Sequence, residues 1–450
     1  MGRDLISAKS TSALLTGLVG SPEELRAVQR LPHQAFTALV RHVGVEDAGE
    51  LIAAATTEQL VAAFDEDLFS NARPGEREVF DSERLIVWLE ALLEAGEQVA
   101  AARFAELSEE FVVQALSSLL LVLDNDALLE RMALGGDDAR RADKAIESTL
   151  WEEIDGYMLI ALQPRGWDAA LALIVALDRD HRDLLVRLLD RCADIGTPYI
   201  DDLDELSTVL SEAESLAEDV EAAREARRGR QGFVEPQAAR AFLKLARRPP
   251  SEADPGRDPI TRSYLRDLGS APAQPALPAA PPPQLAGLLR DATAPLAGPT
   301  RALLPSAAPD PEIAPDDPLA PTTQDPTPAI GAALELLQES DPDAFANRMI
   351  ELVYLANVLI AGAEDDGERF RAVDAAEAAL ATVGLGAALT AEGASASPEA
   401  LREVLRHVEA DALFRRASAA LAARGGPMGA LGFARDHDEA QTWLDDHPTE

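Results

Sequence analysis

The stretch "LPHQAFTALVRHVGVEDAGELIAAATTEQLVAAFDED", residues 31–67, decides the fold. It holds three units, each a few polar or acidic starters followed by one or two apolar turns. Apolar residues recur at helical spacing and do not alternate, so each unit reads as a short amphipathic helix. Helices this short are marginal alone and need neighbours to cover their apolar faces. Stacking them predicts an irregular, solenoid-like, right-handed superhelix of helix pairs, an architecture that exposes a long surface for binding. The uneven spacing of the units argues against tetratricopeptide or ankyrin repeats.

Outward from this stretch the helix punctuation continues. "SPEELRAVQRL" (21–31) opens with Ser21, Pro22 and Glu24 in the order of cap, first-turn proline and capping-box acid. Thr56 and Gln59 repeat the capping box, and "FDSERLIVWLEALLEAG" (80–96) runs from Asp81 as cap to Gly96 as stop. Ile86, Leu89, Leu92 and Leu93 line one side of that helix. Further helices are expected in "SEEFVVQALSSLLLVL" (108–123), "WEEIDGYMLIAL" (151–162), "WDAALALIVAL" (167–177) and "RDLLVRLLDRCADI" (182–195). Strand signals are nearly absent, because β-branched and aromatic residues never alternate with polar ones over a useful length. The expected fold class is all-α.

Four segments follow from composition. Residues 1–200 form the N-terminal superhelix, and 201–248 an acidic helix with the helix after it. The acidic helix carries Asp201, Asp202, Asp204 and Glu205 at its start and Arg224, Arg227 and Arg228 at its end, which matches the helix dipole. Residues 249–328 hold 20 of the 30 prolines and read as a disordered linker, since proline removes donors and fixes φ. Two apolar pieces in it, "ITRSYLRDLG" (260–269) and "QLAGLLRDA" (284–292), are either docking helices or parts of a plain spacer. Residues 329–450 form a C-terminal helical block.

Charge narrows the function classes. The chain has 79 acids against 40 bases, a formal net charge of −39, so nucleic acid and anionic lipid are disfavoured as partners. Cations or basic proteins are favoured; an adaptation for solubility explains the same charge, because the acids are spread along the chain. There is no run of about 18 uncharged apolar residues, so an integral membrane protein is not expected. "MGRDLISAKS" does not resemble a signal peptide, and a cytoplasmic location follows as an expectation. The single cysteine, Cys192, lies in a helical run with no activating cation motif and reads as a packed thiol.

No Walker loop, HExxH, GxSxG or dinucleotide fingerprint occurs; Gly384 and Gly386 in "VGLGAAL" lack a preceding strand and a third glycine. Weaker clusters remain. "FDED" places Asp65, Glu66 and Asp67 at a helix end, as cation ligands or as a polar stop between stacked units. "ALDRDHRDLL" brings Asp178, Asp180, His181 and Asp183 together where a helix is expected to begin; ligand pairing and helix capping both fit. The C-terminal Asp436, His437, Asp438 and Glu439 with Asp445, Asp446 and His447 form a similar group, read either as a weak divalent-cation site or as a solvated final helix anchored by Trp443. In "YLANVLIAGAEDDGERFRAV", Tyr354 and Asn357 interrupt an apolar helix ahead of Arg369 and Arg371. These residues line a small pocket or partner surface, or Asn357 bonds a backbone group between helices.

The alternation in residues 31–69 resembles the helical superhelix of the cytosolic N domain of magnesium transporters and, more loosely, flagellar-motor switch proteins. The wider layout, with "RLIVWLEALLEAGEQ", "GFVEPQAARAFL" and "ELVYLANVLIAGAEDDGERFRAVDAAEAAL", resembles an uncharacterised bacterial family of unknown function, of the 6178 type, spanning nearly the whole chain. No activity comes with that family. The transporter resemblance implies sensing of magnesium or calcium at acidic helix ends. The expected function is a non-catalytic interaction or scaffold protein whose acidic surface binds a basic protein segment. The alternative is a cytosolic protein responsive to a divalent cation, and an enzyme of unknown class is third.

Overall fold

The computed structural model describes residues 22–125, 150–196, 206–248, 257–269, 329–365, 368–391 and 397–423. Among them are seventeen α-helices, one 3-10 turn and three small antiparallel sheets, so the helical class expected from the sequence holds. The chain divides into two compact units, each described here by itself. The division falls between Ala226 and Arg227, and residues 71–78 group with the second unit.

The first unit opens with α1 (Pro22–Gln29), α2 (His33–Val43), a 3-10 turn (Val45–Asp47), α3 (Gly49–Ala54) and α4 (Thr57–Asp67). These are the short units of residues 31–67. The capping box at Thr56 forms as expected, with Thr56 accepting from the Gln59 backbone and the Gln59 side chain accepting from the Thr56 backbone. Gln59 does more than cap. It is buried, and its Nε2 donates to the carbonyls of Val28 at 2.9 Å and Leu31 at 2.8 Å, satisfying the frayed end of α1.

A two-stranded ribbon, β1 (Phe69–Ser70) with β2 (Val79–Phe80), leads to α5 (Ser82–Ala95), α6 (Glu97–Glu106) and α7 (Glu109–Leu119). Asp81 caps α5 through the Arg84 N–H, and Gly96 ends it at φ 136°. α5 buries Leu85, Ile86, Trp88, Leu89 and Leu92 and packs on α3, α6 and α7. It also packs on α8 (Trp167–Asp180), which is followed by α9 (Arg182–Gly196). α10 (Leu206–Arg230) carries the chain to the division point. One continuous apolar core runs from Val28 to Val220. Helices far apart in sequence meet around α5, which does not confirm the serial stacking expected of a solenoid.

Two expected helices are corrected. The end of "SEEFVVQALSSLLLVL" leaves α7 as β3 (Leu120–Asp124), and "WEEIDGYMLIAL" is a hairpin of β4 (Trp151–Ile154) and β5 (Tyr157–Ala161). The sheet order is β3-β5-β4, all antiparallel. The reason lies in two features. "LLLVL" is apolar on both faces: Leu120 and Val122 enter the main core, while Leu123 packs with Ile160 on the other side. Such a run is ambiguous between buried helix and buried strand. "IDGY" supplies a two-residue turn, with Asp155 at φ 52° and Gly156 at φ 85°, the left-handed pair that a tight hairpin requires.

The second unit contains residues 71–78 and α11 (Pro236–Ala246), α12 (Pro259–Gly269), α13 (Ala329–Ser340) and α14 (Pro342–Gly362). A small ribbon, β6 (Glu364–Asp365) with β7 (Glu368–Arg369), precedes α15 (Ala372–Thr390), α16 (Pro398–His407) and α17 (Ala410–Ala423). Phe242 packs at its centre, edge-to-face on Tyr354 and tilted against Phe414, with ring centroids 5.7 and 6.0 Å away. Gly386 lies in the middle of α15 because α17 crosses there; a Cβ would sit 2.0 Å from the Leu413 carbonyl oxygen. Its role is close helix packing.

α12 lies inside the proline-rich segment expected to be disordered. Of the two readings of "ITRSYLRDLG", the docking helix is the one found: Thr261 and Tyr264 are buried against the second unit, and the spacer reading fails for residues 257–269. "QLAGLLRDA" lies outside the described residues. α14 and α15 are long and apolar enough to cross a membrane by length and composition, with mean hydropathy 1.4 each. Each contains charged residues, and both supply apolar side chains to the core of the second unit.

Candidate functional site

The three acidic residues at the end of α4 are engaged by four different side chains. Asp67 Oδ2 accepts from Arg84 Nε and from Trp88 Nε1, both at 2.6 Å. Glu66 pairs with Arg41 at 3.0 Å. Asp65 is buried, and its backbone carbonyl accepts from Arg224 Nε at 2.7 Å. The Arg224 guanidinium lies over the Phe69 ring, 4.2 Å from the centroid, a cation–π contact in a dry setting. Phe64 packs edge-on against Trp88 and stacks on Phe111. The trio closes a helix end against its neighbours and does not converge on one point.

Asp178, Asp180, His181 and Asp183 do not open a helix as expected. They straddle a junction, with α8 ending at Asp180, His181 as its C-cap, and α9 starting at Arg182. Arg182 bridges Asp178 at 2.8 Å and Asp155 at 2.6 Å, while Asp180 pairs with Arg179 at 3.0 Å, which keeps the Asp180 carboxyl below its ordinary range. Asp183 offers its carbonyl to Arg187 at 3.1 Å. Among the described residues, no group of three His, Cys, Asp or Glu side chains is placed to hold a metal ion. The C-terminal Asp436, His437, Asp445 and His447 lie outside the described residues. Cys192 is buried under α7, 3.9 Å from the Val113 carbonyl, and burial pushes its thiol up to about 11.

Tyr354, Asn357, Arg369 and Arg371 each engage a different partner. Asn357 Nδ2 donates to the Gly232 carbonyl at 2.8 Å, the inter-helix bond that was one of the two readings. The Tyr264 hydroxyl donates to the same carbonyl at 2.9 Å. Arg369 donates to the Asn71 carbonyl at 2.7 Å, and Arg371 pairs with Asp374 at 2.7 Å. Tyr354 is fully buried, and its hydroxyl is 3.1 Å from Thr261 Oγ1, which is bonded to Asp258 Oδ2 at 2.7 Å. Burial pushes the Tyr354 hydroxyl far above its ordinary value. Asp258 also accepts from the N–H groups of Ile260 and Thr261, both at 3.0 Å, and so caps α12.

Beside this chain lies a buried ionic network that the sequence did not announce. Glu351 binds Arg257 through one oxygen and Arg348 through the other, and it accepts from the Ala410 N–H at 2.8 Å. Arg348 Nε donates to the Leu405 carbonyl at 2.9 Å, and desolvation lowers the pKa of its guanidinium. Asp411, 1% exposed, faces Arg257 Nε at 3.5 Å. Desolvation pushes the Asp411 carboxyl up to about 6; Arg257 opposes the shift, while Asp258 and Glu409 add to it. Two signals existed: Arg348 and Glu351 stand at i, i+3 inside an apolar helix, and Asp258-Pro259 is a cap followed by a first-turn proline. Every member has protein partners, so the network ties α12, α14 and α17 together.

The sheet of the first unit offers a different surface. β4 is an edge strand paired only with β5 among the described residues. Trp151, Glu152 and Glu153 are all exposed, Trp151 at 46%. Leu150, which precedes β4, is 47% exposed, and Leu162, which follows the central strand β5, is 55% exposed. Glu153 accepts from Asn125 Nδ2 at 3.0 Å. An aromatic side chain, an aliphatic one and two carboxylates thus stand along a strand edge that no other described strand covers.

No curated protein and no solved structure matches the chain. One family model does, described as "Family of unknown function (DUF6178)", over residues 3–303. The late segment of α14 and α15, included in the resemblance drawn from the sequence, falls beyond the matched span. The match covers more than half of the 450 residues, and the chain therefore belongs to this family of unknown function.

Proposed function

We propose that the chain is a non-catalytic interaction protein that binds a basic protein segment through an acidic surface, acting in the cytoplasm. The observation that carries the reading is the β4 edge, where exposed Trp151 stands beside Glu152 and Glu153. Aromatic residues are the side chains most often used as binding anchors, and carboxylates around them select cationic partners. The formal net charge of −39 steers such partners over long range and repels nucleic acid. The acids first considered as cation ligands are engaged with arginines or serve as helix ends, which leaves the interaction reading the better supported.

The test is affinity capture of partners by the full chain at low and moderate salt, repeated with the charge-reversed variant Glu152→Lys/Glu153→Lys. A basic protein recovered by the unaltered chain and lost with the variant supports the reading. Recovery that is unchanged in the variant removes this edge from the proposal, and recovery of no basic protein at either salt concentration refutes it.

A further inference from the structure

We propose that β4 accepts an extended basic segment of a partner protein as an added β-strand, a specific mode that rests on the acidic-surface reading above. The backbone geometry comes first. The two-residue turn at Asp155-Gly156 closes on Ile154 and Tyr157, and Ala161 N donates to the Leu150 carbonyl at 2.9 Å. In an antiparallel pair the inward-bonded residues alternate. Leu150, Glu152 and Ile154 therefore bond to β5, and Trp151 and Glu153 turn their N–H and C=O groups to the side on which no described strand pairs with β4. Such a row is a template for a further strand.

The side chains then select the occupant. Trp151 stands opposite Ile160, and Ile160 opposite Leu121, so the row across this face is apolar and ends in an exposed indole. Glu153 lies one pleat further along the same face, and Glu152 points to the other. An antiparallel incoming strand meets Glu153, Glu152 and Trp151 in that order, which fits two basic residues followed by an apolar one. A second copy of this chain does not fit, because two β4 edges bring glutamates against glutamates. Carboxylates alone are a common protection for a free edge. An indole and a leucine, each about half exposed, are not, and they mark the edge as built for contact.

The experiment uses the full chain and a short dye-labelled peptide containing Lys-Lys-Val-Thr, with fluorescence anisotropy as the readout. A second peptide has the same side chains but N-methylated alternate amides, so it keeps the charge and loses the backbone donors. The expected result is saturable binding of the first peptide, with at least a tenfold loss for the methylated one on unaltered protein. Glu153→Pro, which removes one outward N–H, is expected to lose binding to a similar degree, while Glu153→Gln loses only a few-fold. Equal binding of the two peptides overturns strand addition and leaves the acidic-surface reading standing. Binding of neither overturns strand addition and counts against the acidic surface as well.

Discussion

The indole Nε1 of Trp88 donates to Oδ2 of Asp67 at 2.6 Å, and the same oxygen takes Arg84 Nε at 2.6 Å. One carboxylate thus serves a buried aromatic of α5 and a cation at its first turn. Asp67 had been a candidate cation ligand; its position one residue before the C-cap of α4 puts it against α5.

Replacing Asp67 by Ala is expected to destabilise the first unit by about 1–3 kcal/mol, since the Trp88 N–H is left buried without its acceptor. Trp88, Trp151 and Trp167 all belong to the first unit. The fourth, Trp443, lies outside the described residues, so the comparison is made in a Trp443→Phe background, where tryptophan fluorescence during urea unfolding reads the first unit. A midpoint equal to that of the unaltered chain shows that the contact contributes nothing.

What was legible in the sequence was local. The Thr56–Gln59 capping box, the Asp81 cap and the Gly96 stop are fixed by residues within four positions of each other, and each forms. The helical class follows from the same periodicity. The three-stranded sheet was not read, because "LLLVL" carries no alternation and its strand identity depends on β5, nearly forty residues later. The Asp155-Gly156 pair is a hairpin signal that the helical reading of residues 151–162 passed over. The buried network is illegible for a different reason: Arg257 reaches Glu351 across 94 positions, from inside a segment whose prolines argue for disorder.

Glu351 is the centre of that network. Glu351→Gln is expected to cost about 3–5 kcal/mol, because Arg257 and Arg348 lose the carboxylate that balances them in a buried site. The measurement is helical circular dichroism during denaturant unfolding. If Glu351→Gln unfolds at the same denaturant concentration as the unaltered chain, the network is not a determinant of stability.

Gly386 supplies a steric test. Gly386→Ala places a methyl group against the Leu413 backbone, where no side-chain rotation relieves the overlap. Overpacking of this kind costs about 1–3 kcal/mol or more. Calorimetry is expected to show a lower Tm for Gly386→Ala. Glu377→Gly, a surface change on the same helix that adds no atoms, loses only about 1 kcal/mol through propensity. Equal losses in the two variants imply that α15 and α17 are less closely apposed than the structure shows.

Asp411 gives the second unit a pH dependence of definite sign. Its carboxyl is pushed from 3.8 up to about 6 by desolvation, with Asp258 and Glu409 reinforcing and Arg257 opposing. The folded state therefore holds the proton more tightly than the unfolded chain. The stabilisation this gives is fully present below the unfolded value and is lost as pH rises through about 6. Between pH 7 and pH 5 the expected gain is on the order of 1 kcal/mol from this group. Glu351, Arg348 and Arg257 lie in the same network, so the measurement compares Asp411→Asn with the unaltered chain across that range. Asparagine keeps the shape and cannot ionise; the variant is expected to lose the extra rise in stability towards pH 5. Parallel curves for the two proteins show that Asp411 does not titrate in this window, and that Arg257 holds it ionised despite its burial.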